Sequence, residues 1–262
     1  MTTPILLLGA GRMGGALIAG WRRVGAFAPA DLMVRDPAPS AEIAASGALI
    51  DPDPAAMARA QTVLLAVKPQ IWREAAADVV PHLSDDAIIV SIAAGVASAD
   101  IAAVFGGRRV ARVMPTTAAA IGMGTASVFS SDTEAMAAAH ALFGPVGTVV
   151  DLADEELMHA ATAVSGSAPA YLYAFVEALE AAGLALHLAP ATARELARAT
   201  MAGAAALMAD SGADAADLRR QVTSPGGTTE AALTVLMGEG GLPSLLKAAA
   251  AAAAQRSREL GR

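Results

Sequence analysis

At 262 residues the chain has room for one large or two ordinary domains, and an apolar fraction of 55% with only 3% aromatics means that alanine methyls supply much of the buried area. A formal net charge of −7 with no clustered Lys/Arg run excludes a nucleic-acid footprint, and the lack of cysteine excludes a disulfide framework, a thiolate nucleophile and a Cys-ligated metal. The first apolar run is too short for a signal peptide and lacks its basic flank, and the alanine run 248–254 falls far below the ~20 apolar residues of a spanning helix, so the expectation is a cytoplasmic protein with no membrane partner.

The first element is the strand Ile5–Leu8, which runs straight into Gly9-Ala10-Gly11-Arg12-Met13-Gly14 and then an apolar-periodic helix. G-x-G-x-x-G between a strand and a helix is the fingerprint of a dinucleotide-binding fold. Gly9 permits the tight turn, Gly11 lets backbone approach a pyrophosphate, and Gly14 lets the helix pack on the strand. The phosphates would sit on the free N–H groups of the helix that begins near Arg12. A second strand, Leu32–Val34, ends at Arg35-Asp36-Pro37, with Asp36 about 22 positions beyond Gly14, near the ~20-residue spacing of a ribose-binding carboxylate. Arg35 argues the other way, as a partner for a 2′-phosphate, and an ion pair in solvent is the plainer alternative for both.

Short units then alternate: a helix around Ala41–Ala45, a strand at Leu49-Ile50, a helix after Asp53, and the strand Thr62–Val67, which ends in Lys68-Pro69. The strand Ala87–Ile92 ends in Ala93-Ala94-Gly95. Ligands of open parallel sheets bind at the carboxyl ends of strands, so Ala66, Val67, Lys68, Pro69, Ala93, Ala94 and Gly95 are cofactor candidates; a solvated Lys68 is the alternative. Strands Val110–Met114, Thr125–Phe129 and Gly147–Val150, with the helix Thr133–Phe143, complete an N-terminal Rossmann-type domain over 1–151. Strand signals then stop. Glu155–Val164, Pro169–Leu186, Pro190–Ala209, Ala213–Val222, Glu230–Met237 and Leu242–Leu260 read as helices, with Gly183, Gly212 and Gly240-Gly241 as interruptions or stops, giving an all-α domain over 152–262 and an α/β class overall. Helices so poor in large side chains need a partner surface, which predicts an obligate homodimer. Trp21 and Trp72 read as packing residues. His82, His140, His159 and His187 show no ligand spacing, so no metal is expected.

Six motifs occur in the order seen in pyrroline-5-carboxylate reductases, and the chain resembles that family over nearly its whole length. They are the glycine loop, Ala66-Val67-Lys68-Pro69, Ser91–Val96, Met114-Pro115, Ser165-Gly166-Ser167-Ala168-Pro169-Ala170-Tyr171 and Ser224-Pro225-Gly226-Gly227-Thr228-Thr229. The resemblance implies reduction of 1-pyrroline-5-carboxylate to L-proline, the last step of proline biosynthesis, by NADPH or NADH with a slight lean to NADPH. It also implies a homodimer interlocked through the helical domains, often in a larger ring. It assigns Thr229 to the ring nitrogen as the catalytic residue, and Ser224 with the Gly226, Gly227 and Thr228 turn to the substrate carboxylate. A turn of this kind ahead of a helix can point several N–H groups at an anion, although Thr228 or Thr229 as a simple helix cap is the alternative. Ser165–Tyr171 reads as a helix elbow or a pocket wall. The chain departs from the family pattern at Thr116, Ala118 and Ala168, where Asn, Pro and Gly are usual, so another small cyclic imine, or NAD(P) binding without turnover, stays open as an alternative function.

Overall fold

The computed structural model describes residues 4–260. Eight strands form one sheet: β1 (Ile5–Leu8), β2 (Leu32–Arg35), β3 (Leu49–Ile50), β4 (Thr62–Leu65), β5 (Ile88–Ser91), β6 (Val110–Pro115), β7 (Gly124–Phe129) and β8 (Gly147–Asp151). Their order is β3-β2-β1-β4-β5-β6-β7-β8, and every pair is parallel except β6 with β7. Ile5 of β1 lies beside Leu32 on one side and Thr62 on the other, so β1 is central and covered on both faces. Side chains alternate across the sheet accordingly. Ile5 and Leu7 join one core with Leu17, Trp21 and Phe143, whereas Leu6 and Leu8 join the other with Trp72, Ile101 and Phe105.

Seven helices accompany the sheet: α1 (Arg12–Val24), α2 (Ala41–Ala44), α3 (Pro54–Met57), α4 (Trp72–Val79), α5 (Ser98–Val104), α6 (Thr133–Phe143) and α7 (Leu157–Ala161). α1 ends where Gly25 turns left-handed at φ 63°, a conformation that a glycine adopts at no steric cost. Trp21 of α1 is fully buried, donates its indole N–H to the Leu142 carbonyl at 2.7 Å and meets the Phe27 ring edge-on. Trp72, expected to pack from a helix, opens α4 and is buried, whereas α5 was not read from the sequence, although Ile101 and Phe105 have the four-residue spacing of one buried face. α1 also packs on a 3-10 turn, Thr117–Ile121, so closely that a Cβ on Gly20 would lie 2.1 Å from the Ala119 carbonyl oxygen.

The helix expected over 155–164 is shorter and changes form. α7 passes into a π turn, Thr162–Gly166, where the hydroxyls of Thr162 and Ser165 donate to the carbonyls of Met158 and Ala161 at 2.7 and 2.8 Å. Those bonds compete with the regular ladder and widen the turn. Just before α7, Glu155 accepts from the Ser98 amide and hydroxyl and from the buried Arg112 guanidinium, all at 2.7–2.8 Å. Burial alone would raise its carboxyl, but these donors hold it below the usual range. His159 shares a hydrogen bond with Ser257 at 2.9 Å, and burial pushes its imidazole down.

The remaining helices are α8 (Ala168–Ala185), α9 (Pro190–Ser211), α10 (Ala215–Gln221), α11 (Thr228–Leu236) and α12 (Leu242–Leu260). Contacts divide the described residues into one compact unit, 4–166 with 251–260, and a second, Ser167–Ala250, so α12 belongs to both. Gly183, expected as an interruption, lies inside α8. A Cβ there would come within 3.0 Å of the Ala193 Cβ, so the glycine serves the close approach of α9 rather than ending a helix. Gly212 is a stop, left-handed at φ 61°. Within Ser167–Ala250 only Ala193 and Ala197 are buried. Among the described residues, no helix is long and apolar enough to cross a membrane.

Candidate functional site

The glycine loop joins β1 to α1. Gly9 takes φ 92°, and a Cβ there would lie 2.8 Å from Val67 and 2.9 Å from the Ala66 carbonyl oxygen. At Gly14 a Cβ would lie 2.3 Å from the Gly9 carbonyl oxygen, so this glycine sets how closely α1 approaches the loop. Gly11 is the opposite case: a Cβ would meet nothing within 4 Å. Its missing side chain serves the open space above the loop. The first helical bond of α1 runs from the Gly15 N–H to the Gly11 carbonyl at 2.8 Å, which leaves the N–H groups of Arg12, Met13 and Gly14 without partners in the helix. An open glycine beneath a helix start fits a dinucleotide pyrophosphate.

A cleft of about 1040 Å³ opens from this loop along the carboxyl ends of β1, β2 and β4. The order in which β1 lies between β2 and β4 makes this the switch point of the sheet. Gly9, Gly11, Arg35, Asp36, Ala66, Val67 and Lys68 all line it. Arg12, Met13, Gly14 and Pro69 flank these positions in the chain without forming its wall. Ala93, Ala94 and Gly95 follow β5 and do not line the cleft either.

Asp36 is held by two backbone amides, Ala10 N–H at 2.6 Å and Ala38 N–H at 2.9 Å. Each carboxylate oxygen keeps a further lone pair for a ribose hydroxyl. Arg35 does not extend as a free cation. Its Nε and Nη2 donate to Asp78 at 3.1 and 2.7 Å, its Nη1 donates to Asp51 at 3.1 Å, and the guanidinium is held even further above its ordinary pKa, chiefly by Asp78. Asp51, Ile71, Glu74 and Asp78 therefore belong to the cleft wall and were missed in the sequence. The signal was present: Ile71, Glu74, Ala75 and Asp78 have the spacing of one helical face.

The Ser224–Thr229 segment lies in the second unit. Gly226 is left-handed at φ 71°, the Gly227 N–H closes on the Ser224 carbonyl at 3.0 Å, and the Gly226 N–H donates to Glu230 at 2.7 Å. α11 begins two residues earlier than expected. Gly227 is its N-cap, with no side-chain capping bond, so Thr228 and Thr229 occupy the first turn as helical residues. The capping alternative for these threonines is not what forms. Their N–H groups are those a helix leaves free at its start, and the Glu230 carboxylate already takes the Gly226 amide. Of the departures from the family pattern, Thr116 is buried and its hydroxyl accepts from the Thr125 N–H at 3.0 Å, a bond internal to the β6–β7 corner. Gly166 packs on Met114, with a Cβ only 3.0 Å from its sulfur, and Ala168 opens α8.

Two family models match the chain: "NADP oxidoreductase coenzyme F420-dependent" over residues 4–95 and "Pyrroline-5-carboxylate reductase dimerisation" over 155–260. The pyrroline-5-carboxylate reductase of Pseudomonas aeruginosa is 39% identical, with 99% of this chain and 98% of the relative covered. The solved pyrroline-5-carboxylate reductase of Coxiella burnetii is 30% identical with a TM-score of 0.90 over the full length of both chains. A Plasmodium falciparum pyrroline carboxylate reductase, solved with NADP bound, shares the fold at 23% identity, with a TM-score of 0.86 over 99% of this chain and 98% of that one.

Proposed function

This chain belongs to the pyrroline-5-carboxylate reductase family, and we infer that it is an oxidoreductase reducing 1-pyrroline-5-carboxylate to L-proline with NAD(P)H, the last step of proline biosynthesis. The observation that carries the reading is likeness through both units, since 39% identity runs across 99% of the chain and includes the helical residues with no part in nucleotide binding. Bound NAD(P)H supplies the hydride that reduces the cyclic C=N carbon. The residues of the chain do the rest. Residues 1–151 hold the cofactor, with Gly9, Gly11 and Gly14 shaping the loop, the α1 N–H groups of Arg12, Met13 and Gly14 taking pyrophosphate charge, and Asp36 accepting from ribose hydroxyls. Ala66, Val67, Lys68 and Pro69 after β4, and Ala93, Ala94 and Gly95 after β5, extend this role toward the nicotinamide.

Residues 152–262 pair two copies and take the substrate. The Ser224 hydroxyl and the amides of Gly227 and Thr228 hold the carboxylate, and the Thr229 hydroxyl binds the ring nitrogen, fixing the face of the ring that is reduced. Support comes from the placement of both threonines in the first turn of α11 without a capping duty. A homodimer is supported by Tyr173, Leu186 and Val235, which expose 68, 76 and 77% of their surface in a unit with almost no core. The dimers assemble into a larger ring, in the cytoplasm. Purified protein mixed with pyrroline-5-carboxylate and either reduced nicotinamide should lose reduced-cofactor absorbance. No loss with either nucleotide would refute the reading.

A further inference from the structure

NADPH differs from NADH by one phosphate on the adenosine ribose, which carries about −1.5 to −2 charges near neutral pH. A protein that prefers NADPH needs free donors where that phosphate lies, at the carboxyl end of the second strand. Arg35, which closes β2, is the cation in place, and three of its N–H groups are already directed at Asp78 and Asp51. Arg35 is 40% exposed and each aspartate 59%, so neither pair alone is strong. Two carboxylates on one guanidinium nevertheless leave the group negative, and Asp36 and Glu74 line the same wall. Among the described residues that line this wall, only Lys68 adds a compensating charge.

We propose that Asp51 and Asp78 set the cofactor preference of this chain, holding Arg35 in carboxylate pairs and adding negative charge, so that NADH is favoured over NADPH. The inference rests on the cleft being the dinucleotide site, and it runs against the slight lean to NADPH that family resemblance implies. The position of each aspartate suits the role. Asp51 follows β3 with φ 49°, a left-handed conformation that Asp and Asn tolerate better than most residues, and Asp78 lies in α4 facing the cleft. Asparagine at both positions therefore keeps shape and backbone while removing two charges.

The test is direct binding of NADH and NADPH to the full-length protein without imine, followed by nicotinamide fluorescence. Unsubstituted protein should bind NADH more tightly. The Asp51→Asn/Asp78→Asn variant should raise the ratio of NADPH to NADH affinity on the order of tenfold at low salt, with a smaller gain at high salt, as expected for like charges near a dianion in a wet cleft. Adding Arg35→Gln should remove the part of that gain that the freed guanidinium supplies and leave the smaller part due to the two lost negative charges. Tighter NADPH binding by the unsubstituted protein, or an unchanged ratio in the double variant, would overturn the proposal. Failure of the unsubstituted protein to bind either nucleotide would instead remove the dinucleotide reading, and this inference with it.

Discussion

Alanine at Gly14 and alanine at Gly11 are the same chemical change three residues apart, yet they should damage different properties. At Gly14 the new methyl lies 2.3 Å from the Gly9 carbonyl oxygen, so α1 or the loop must retreat by roughly 1 Å to reach ordinary contact. Overpacking of this kind costs about 1–3 kcal/mol, partly offset by up to ~1 kcal/mol of improved helix propensity. A domain of this size loses about 2–4 °C of melting temperature per kcal/mol, so a drop of several degrees is expected. At Gly11 the backbone is extended at a negative φ (−66°) rather than left-handed, and the methyl enters empty space. Stability should change by less than ~1 kcal/mol, the loss expected for alanine at an N-cap. The methyl nevertheless stands where a phosphate would approach. Loss of one charge-assisted amide contact, about 1.5–3 kcal/mol, corresponds to NAD(P)H affinity weaker by roughly ten- to a hundredfold. Melting curves and nicotinamide-fluorescence titrations on both variants check this. Normal affinity in Gly11→Ala would refute the placement of the pyrophosphate over the loop.

Thr229→Ala should lower turnover on the order of ten- to a thousandfold with little change in melting temperature, because Gly227 rather than Thr229 caps α11, and Thr229→Ser should recover much of the rate; unchanged turnover would remove Thr229 from catalysis. Glu155→Gln should cost about 2–4 kcal/mol in urea unfolding, since it leaves the 5%-exposed Arg112 guanidinium without its charge partner. The Glu155 carboxyl titrates below its ordinary value when folded, so its stabilisation is complete above the ordinary carboxyl range and is lost as pH falls through the lower folded value. The unsubstituted protein should accordingly lose stability more steeply in acid than Glu155→Gln, and parallel pH profiles would contradict the assignment. Light scattering should find no folded monomer on dilution, whereas a stable monomer would contradict the pairing of the helical units.

What was legible in the sequence was whatever one local pattern determined. Ile5–Leu8 followed by spaced glycines specified a strand, a turn and a helix together, and the alternation of strands with helices pointed to a parallel sheet, whereas the strand order and the antiparallel β7 emerge only in the structure. Bounds drifted where side chains bonded their own backbone, as at Thr162 and Ser165, whose hydroxyls turn a helix end into a π turn. Gly183 was misread because a helical glycine that admits Ala193 looks the same in sequence as one that ends a helix. The cleft was legible in its β1, β2 and β4 ends but not in its acidic wall. Asp51 and Asp78 lie 16 and 43 residues from Arg35, and only the sheet brings the three side chains together. Arg35 and Asp36, opposed in the sequence as readers of phosphate and ribose, proved to be tied to different partners, one to carboxylates across the cleft and the other to the Ala10 amide of the glycine loop and the nearby Ala38 amide.

The most direct test of the function is the product. The purified protein, supplied with pyrroline-5-carboxylate and NADH or NADPH, should form L-proline in a one-to-one ratio with oxidised nicotinamide, measured by chiral amino-acid analysis beside cofactor absorbance. Nicotinamide oxidation with another cyclic imine but no L-proline from pyrroline-5-carboxylate would contradict the account.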